Sequence, residues 1–301
     1  MAVPIDEREQ DNRVLRTLII TALTETGRSR DAVYEKIGEF YYFNAPKYLY
    51  KYYSESPLNL DAIKKHEMWY SAPCNFNDAF DCDISINEKA LFECFLKEAS
   101  QERRIRQGSS GWMNLKGVVH KQIHNLQEEF EETKRTTGIS CLSESDSSLL
   151  MWAHYANNHK GMCVEYELLK ISNQLKFTPV PVIYTNDRVT LSSLESENLD
   201  RDTMKIFVES ITTKSSEWNY EKEWRIIRDE AACGTRWNKA DKGALLEMIR
   251  PTSITLGCRA EGNFEKSVRK YCEKEKVTLY KMEKNKDKYQ LDKKVVVGFS
   301  N

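Results

Sequence analysis

The chain has 301 residues, 40% hydrophobic and 30% charged, with 45 Lys and Arg against 46 Asp and Glu and a formal net charge of −1. That balance excludes a disordered chain and a global basic field for non-specific nucleic-acid binding, although a local basic groove stays open. Eight scattered cysteines without a Cys-x-x-Cys pair, and no run of 18 apolar residues, argue against a disulfide scaffold and a membrane span.

The N-terminus is acidic ahead of its only apolar run, unlike a signal peptide, so the chain reads as cytoplasmic and reduced. Residues 6–45 read as helical. Val14, Leu15, Leu18, Ile19, Ala22 and Leu23 form an i, i+3, i+4 stripe, Gly27 is a stop, and "RDAVYEKIGEFYYF" gives a second helix broken before Pro46. Next come a tyrosine-rich strand (47–54), a short helix "NLDAIKK", a strand "EMWYSAP" and a loop "CNFNDAFDCD". Residues 87–107 and 112–136 read as helices joined by "GSSG". "TGISCLSES" reads as a buried strand, and Ser145 or Asp146 as the N-cap of helix "SSLLMWAHYANNHKG", with Gly161 its C′ residue. "MCVEYEL" and "PVIYT" read as strands, 192–216 as a helix, and "EWRIIRD" as a strand. "SITLGC" and "VTLYKME" are strands flanking helix 263–276. The expected class is α+β: a mixed or antiparallel split-sheet core with inserted helices. Residues 1–46 form an N-terminal helical extension, and 47–301 a single domain with a helical insertion at about 87–136.

Four stretches carry chemistry. In "NYEKEWRIIRDE", a strand beginning by Glu221 puts Glu221, Glu223 and Arg225 on one face, because side chains alternate along a strand. Paired carboxylates beside an arginine suit a cationic sugar-like transition state; the alternative is a charged turn whose Arg225 pairs with the nearer carboxylate. In "LLMWAHYANNHKG", His154, Asn157 and Asn158 lie at i, i+3 and i+4, a ridge where His154 acts as a base or ligand contact, or sits as a core-edge histidine. His159 and Cys163 lack a third ligand at metal-binding spacing, so no metal is expected. Asp78, Asp81 and Asp83 suit a divalent cation or, alternatively, turn-fixing bonds, with Phe76 and Phe80 pinning the loop to the core. In "YLYKYYS", Tyr50 and Lys51 suit stacking a base and holding a phosphate, or a half-buried strand.

In this order, "YLYKYY", "WYSAPCNFNDAFD", "LLMWAHYANNHKGMCVEYE", "WNYEKEWRII" and "ITLGC" resemble a bacterial family known as domain of unknown function 2971, across residues 47–260. Ala79 departs from the proline expected after Asn-Asp. More distantly, the chain resembles ADP-ribosyltransferases, which carry a basic residue on an early strand, a serine-rich strand and a Glu-x-Glu opening a late strand. Lys51, then Ser140 and Ser143, then Glu221 and Glu223 fill those slots, with Lys in place of the usual His or Arg. The resemblance implies NAD as substrate and an ADP-ribosyltransferase-like fold. Glu223 would steady the ribosyl cation and Glu221 the acceptor, while Lys51, Tyr50, Ser140, Ser143, Tyr155 and Arg225 would hold the dinucleotide. Three readings follow. The first is an NAD-consuming transferase or glycohydrolase with a protein or nucleic-acid acceptor or water, acting as a toxin or phage-defence effector. The second is a non-catalytic nucleotide- or protein-binding sensor. The third is a metal-dependent hydrolase or nuclease built on Asp78, Asp81, Asp83 and His154.

Overall fold

The computed structural model describes residues 7–24, 27–176, 178–192 and 199–299. In chain order the elements are α1 (Glu7–Thr24), α2 (Gly27–Phe43), β1 (Tyr48–Tyr53), α3 (Pro57–Lys64), β2 (Glu67–Ser71), β3 (Ser85–Ile86), α4 (Glu88–Glu102) and α5 (Ser110–Thr136). There follow β4 (Thr137–Ser143), α6 (Leu149–Tyr155), β5 (Met162–Glu167), α7 (Leu168–Leu175), β6 (Val180–Pro181), β7 (Ile183–Thr185), β8 (Thr190–Leu191) and α8 (Leu199–Ser210). The rest comprises β9 (Thr213–Ser215), β10 (Glu223–Asp229), α9 (Glu230–Cys233), β11 (Gly243–Glu247), β12 (Ser253–Leu256), α10 (Gly262–Glu275), β13 (Thr278–Lys284) and β14 (Leu291–Val297). The class is α+β, as expected.

Two compact units emerge. One contains the chain up to Lys36, Ala72–Thr137 and Ile183–Ser216; the other contains Ile37–Ser71, Gly138–Val182 and the chain from Glu217 onward. The first unit is mostly helical. Ser109 Oγ caps α5 by accepting from Trp112 N, and Asn87 Oδ1 caps α4 by accepting from Ala90 N. Leu115, Val119, Ile123, Leu126 and Phe130 recur every three or four residues along α5, so they share one face and bury it on Leu91 and Leu96 of α4. Of the apolar stripe on α1, Leu15, Ile19 and Ala22 are buried, whereas Val14 and Leu23 face outward. The helix expected over 192–216 is α8 followed by a short strand, β9; its residues 193–198 lie outside the described residues. β9 runs parallel to β7, with Ile183 opposite Thr213.

The second unit holds the large sheet, ordered β11-β2-β4-β1-β5-β12-β13-β14, with β10 branching off to pair with β4 and β6. β1 and β5 pair antiparallel from Tyr48↔Glu167 to Tyr53↔Met162, and β12 pairs antiparallel with β5. β12 and β13 are parallel, α10 carrying the chain across between them, and a hairpin joins β13 to β14. Both faces of the middle strands are covered: Leu49, Val164, Ile254 and Leu279 are fully buried on one face, and Cys163 and Thr255 are buried on the other.

Several expectations are corrected here. "PVIYT" is two short strands in different sheets, because Val182 N bonds Glu223 O while Ile183 N turns to Thr212 O. α7, β11 and β14 lie where no element was expected. Helix α6 is capped by Ser148, not Ser145 or Asp146, and it ends at Tyr155, well before Gly161. Gly161 serves close approach instead: a Cβ there would stand 1.9 Å from Tyr53 O.

Candidate functional site

The candidate residues fall in both units. In the first unit, Asp81 pairs with Lys214 at 3.2 Å and Asp83 with Lys134 at 3.1 Å and with Arg188. Asp78 Oδ1 accepts from Phe80 N, the side-chain to backbone bond that fixes a turn. These aspartates neutralise cations and shape the loop. Phe80 is 64% exposed under the Arg188 guanidinium, so it does not pin the loop to the core. Among the described residues no three or more His, Cys, Asp or Glu side chains are grouped to hold a metal ion.

In the second unit, β1, β4 and β10 bring the remaining candidates together as two clusters. Tyr50 is opposite Ser143, and alternation along β1 sends Tyr50 and Lys51 to opposite faces. Lys51 Nζ donates to Cys141 O at 2.9 Å and to Ser140 Oγ at 3.3 Å. Burial lowers the Lys51 pKa, against the raising fields of Cys141 and Glu223. Burial likewise pushes the Cys141 thiol well up, helped by the Glu223 charge. Arg225, fully buried, donates from Nε to Glu223 Oε1 at 2.7 Å and from Nη2 to Glu223 Oε2 at 3.1 Å, a two-point fork. Glu223 is itself only 4% exposed, and both its oxygens accept from Arg225.

The second cluster surrounds Glu221, which is not on the strand face. Ser216–Glu221 is a turn of 3₁₀ helix, and Lys222 takes a left-handed conformation (φ +44°) that breaks the alternation before β10 begins at Glu223. Ser143 Oγ fixes that turn by donating to Glu221 O at 2.6 Å, and Trp224 Nε1 donates to Glu144 Oε1 at 2.6 Å. The Glu221 carboxylate accepts from Tyr155 OH at 2.5 Å. Beside it run the rings of Trp218, Tyr220 and His154, with centroids 6.0 Å apart for the first pair and 6.2 Å for the second; His154 lies 6.3 Å from Tyr155. Tyr50, Tyr155 and Tyr220 are partly buried against a core cluster that includes Tyr52, Met151 and Trp152. The result is a half-exposed aromatic shelf over a carboxylate. Asn157 and Asn158 do not extend the His154 ridge, because both are left-handed and the helix has already stopped.

The family described as "Protein of unknown function (DUF2971)" matches residues 151–226, a shorter stretch than the motifs promised. The likeness to that family is shown for this segment. No curated protein and no solved structure matches the chain. The matched segment contains His154, Tyr155, Trp218, Tyr220, Glu221, Glu223 and Arg225, while Lys51, Ser140 and Ser143 come from outside it. Sequence reasoning passed over Trp218 and Tyr220, although two aromatics spaced two apart directly before Glu221 were visible in "EWNYE".

Proposed function

We propose that the DUF2971 segment forms the core of an NAD-consuming, ADP-ribosyltransferase-like enzyme in which Glu221 steadies the ribosyl cation. The observation that carries the reading is the buried Glu221 carboxylate, bonded to a tyrosine hydroxyl at the edge of a shelf of Trp218, Tyr220 and His154. Aromatic faces stack a planar base such as nicotinamide or adenine. A carboxylate next to the sugar opposes the positive charge that develops as the base departs. A ribose hydroxyl replaces the Tyr155 hydroxyl on Glu221 Oε1, one O–H donor exchanged for another. Ser143 holds the Glu221 backbone, and Glu223 with Arg225 braces β10. The acceptor is water, a protein or a nucleic acid, and the biological setting suited to such chemistry is a toxin or a phage-defence effector.

The test is nicotinamide release from NAD by the purified protein. Glu221→Gln is expected to lose about 100-fold or more of the turnover with at most a small fall in melting temperature. Wild-type protein that releases no nicotinamide, or a Glu221→Gln variant that matches it, removes the reading. The fully engaged Glu223 carboxylate favours a second one, a nucleotide-binding sensor without turnover. In that case NAD raises the melting temperature while no product forms.

A further inference from the structure

Within the second unit, the turn between β13 and β14 closes one side of a cavity of about 530 Å³, a size that suits a small ligand. Arg259, Lys284, Lys286 and Lys288 line it against one carboxylate, that of Asp287. None of these four cations makes an ion pair among the described residues. Two lysines on the adjoining strands differ: Lys281 pairs with Glu265 at 2.8 Å and Lys293 with Asp146 at 2.7 Å. The positive charge is therefore concentrated at the cavity, four cations against the one carboxylate of Asp287.

His159 forms part of the wall, and its Nδ1 is buried without a hydrogen-bond partner. Buried polar atoms are nearly always satisfied, so an orphan on a ring that lines the cavity points to a missing group. Burial, then Arg259 and Lys284, lower the His159 pKa, which favours a neutral ring able to donate from Nδ1.

The backbone that carries this ring is strained. Asn157, Asn158 and His159 are three successive left-handed residues, at φ +42°, +55° and +69°. His159 is held by bonds from its N to Trp152 O at 3.0 Å and from Arg259 N to its O at 2.9 Å. Gly257 makes the second possible, since a Cβ there would stand 2.1 Å from His159 O. At the tip of the turn the Tyr289 ring is fully exposed.

We infer that this cavity is a binding site for a nucleoside di- or triphosphate. The phosphates lie among Arg259, Lys284, Lys286 and Lys288, a phosphate oxygen accepts from His159 Nδ1, and the base stacks on Tyr289. The concave shape suits a mononucleotide better than a nucleic-acid strand. The inference does not depend on the Glu221 reading.

Calorimetric titration of the full chain with ATP, ADP, adenosine, pyrophosphate and a single-stranded oligonucleotide tests it. ATP and ADP are expected to bind, adenosine not, and pyrophosphate more weakly than ADP. Binding should weaken steeply with added salt. The triple variant Lys284→Ser, Lys286→Ser, Lys288→Ser changes only exposed side chains; it should keep its melting temperature and lose at least tenfold in ATP affinity. ATP should also shift the His159 side-chain nitrogen resonances in the wild-type protein. Absence of ATP binding, undiminished binding by the triple variant, unmoved His159 resonances, or tight oligonucleotide binding with ATP inert would each overturn the inference.

Discussion

Glu223 and Arg225 form a buried ion pair whose value depends on both partners being present. Taking a carboxylate and a guanidinium out of water costs several kcal/mol each, and the fork between them offsets that cost only while it is complete. Glu223→Ala therefore leaves an uncompensated charge in the interior and is expected to destabilise the protein by about 3–5 kcal/mol. The double variant Glu223→Leu, Arg225→Met removes both charges and should recover most of that loss, as urea unfolding would show. Recovery of nothing would mean that the pair does more than hold β10. Glu221→Gln keeps the size of the side chain and its ability to accept from Tyr155, so it should cost no more than about 1.5 kcal/mol. The two glutamates, alike in sequence, are thus distinguished by what one substitution does to stability and the other to turnover. That "EKEW" holds a functional carboxylate pair was a reasonable inference from spacing. That Arg225 pairs with one of the two carboxylates was the other reading of the same spacing, and packing decides that the partner is Glu223.

At the scale of elements, helix α6 shows how local rules and tertiary packing divide the outcome. Its N-terminus obeys capping chemistry, with Ser148 Oγ accepting from Met151 N at 3.4 Å. Ser148→Ala should cost about 1 kcal/mol of stability, measured by thermal or urea unfolding. Its C-terminus obeys packing. Helical periodicity in "MWAHYANNHKG" continues past Tyr155, but His159 N bonds back to Trp152 O and Gly161 N to Ala156 O. Gly161 must also pass under Tyr53 O, and Gly257 under His159 O. Alanine at either glycine would force a backbone collision, so Gly161→Ala and Gly257→Ala are expected to express as unfolded protein, with circular dichroism as the check. Asn158→Val should cost about 1–2 kcal/mol, because a β-branched side chain tolerates the left-handed region worst. Elements with strong local signals were read correctly: the tyrosine strand β1, the α4–α5 helices and strand β10. The unexpected β11 and β14 are decided by the strands they pair with, β2 and β13, and α7 is a short helix of eight residues.

For the molecule as a whole, one consequence of the tyrosine-rich core is sensitivity to alkali. Burial raises the phenol pKa of Tyr41, Tyr52, Tyr53, Tyr70 and Tyr166 above the ordinary value of 10.0. A raised pKa means that the folded protein holds protons which the unfolded chain has given up. The stabilisation is complete below about pH 10 and is lost as pH rises beyond it, by about 1.4 kcal/mol per phenol per pH unit while the fold persists. Unfolding followed by far-ultraviolet circular dichroism should therefore coincide with a steep, cooperative rise in tyrosinate absorbance above pH 10. Independent ionisation of these phenols with the fold intact would contradict the burial described. Charge at this scale is also informative. A net charge of −1 conceals an unpaired cluster of one arginine and three lysines around His159, which no composition statistic reveals.

Taken alone, the sequence determined the α+β class, the positions of the long helices and main strands, and the segments in which site residues would be found. Those features depend on periodicity, capping and turn chemistry, which act between residues close in the chain. The tertiary structure alone decided that Glu223 is bound to Arg225 while Glu221 lies beside the aromatic shelf, that α6 stops at Tyr155, and that His159 meets Arg259 and Lys284. Each of those depends on contacts between distant residues, where burial sets the strength of a charge and the approach of another backbone sets the path of a loop.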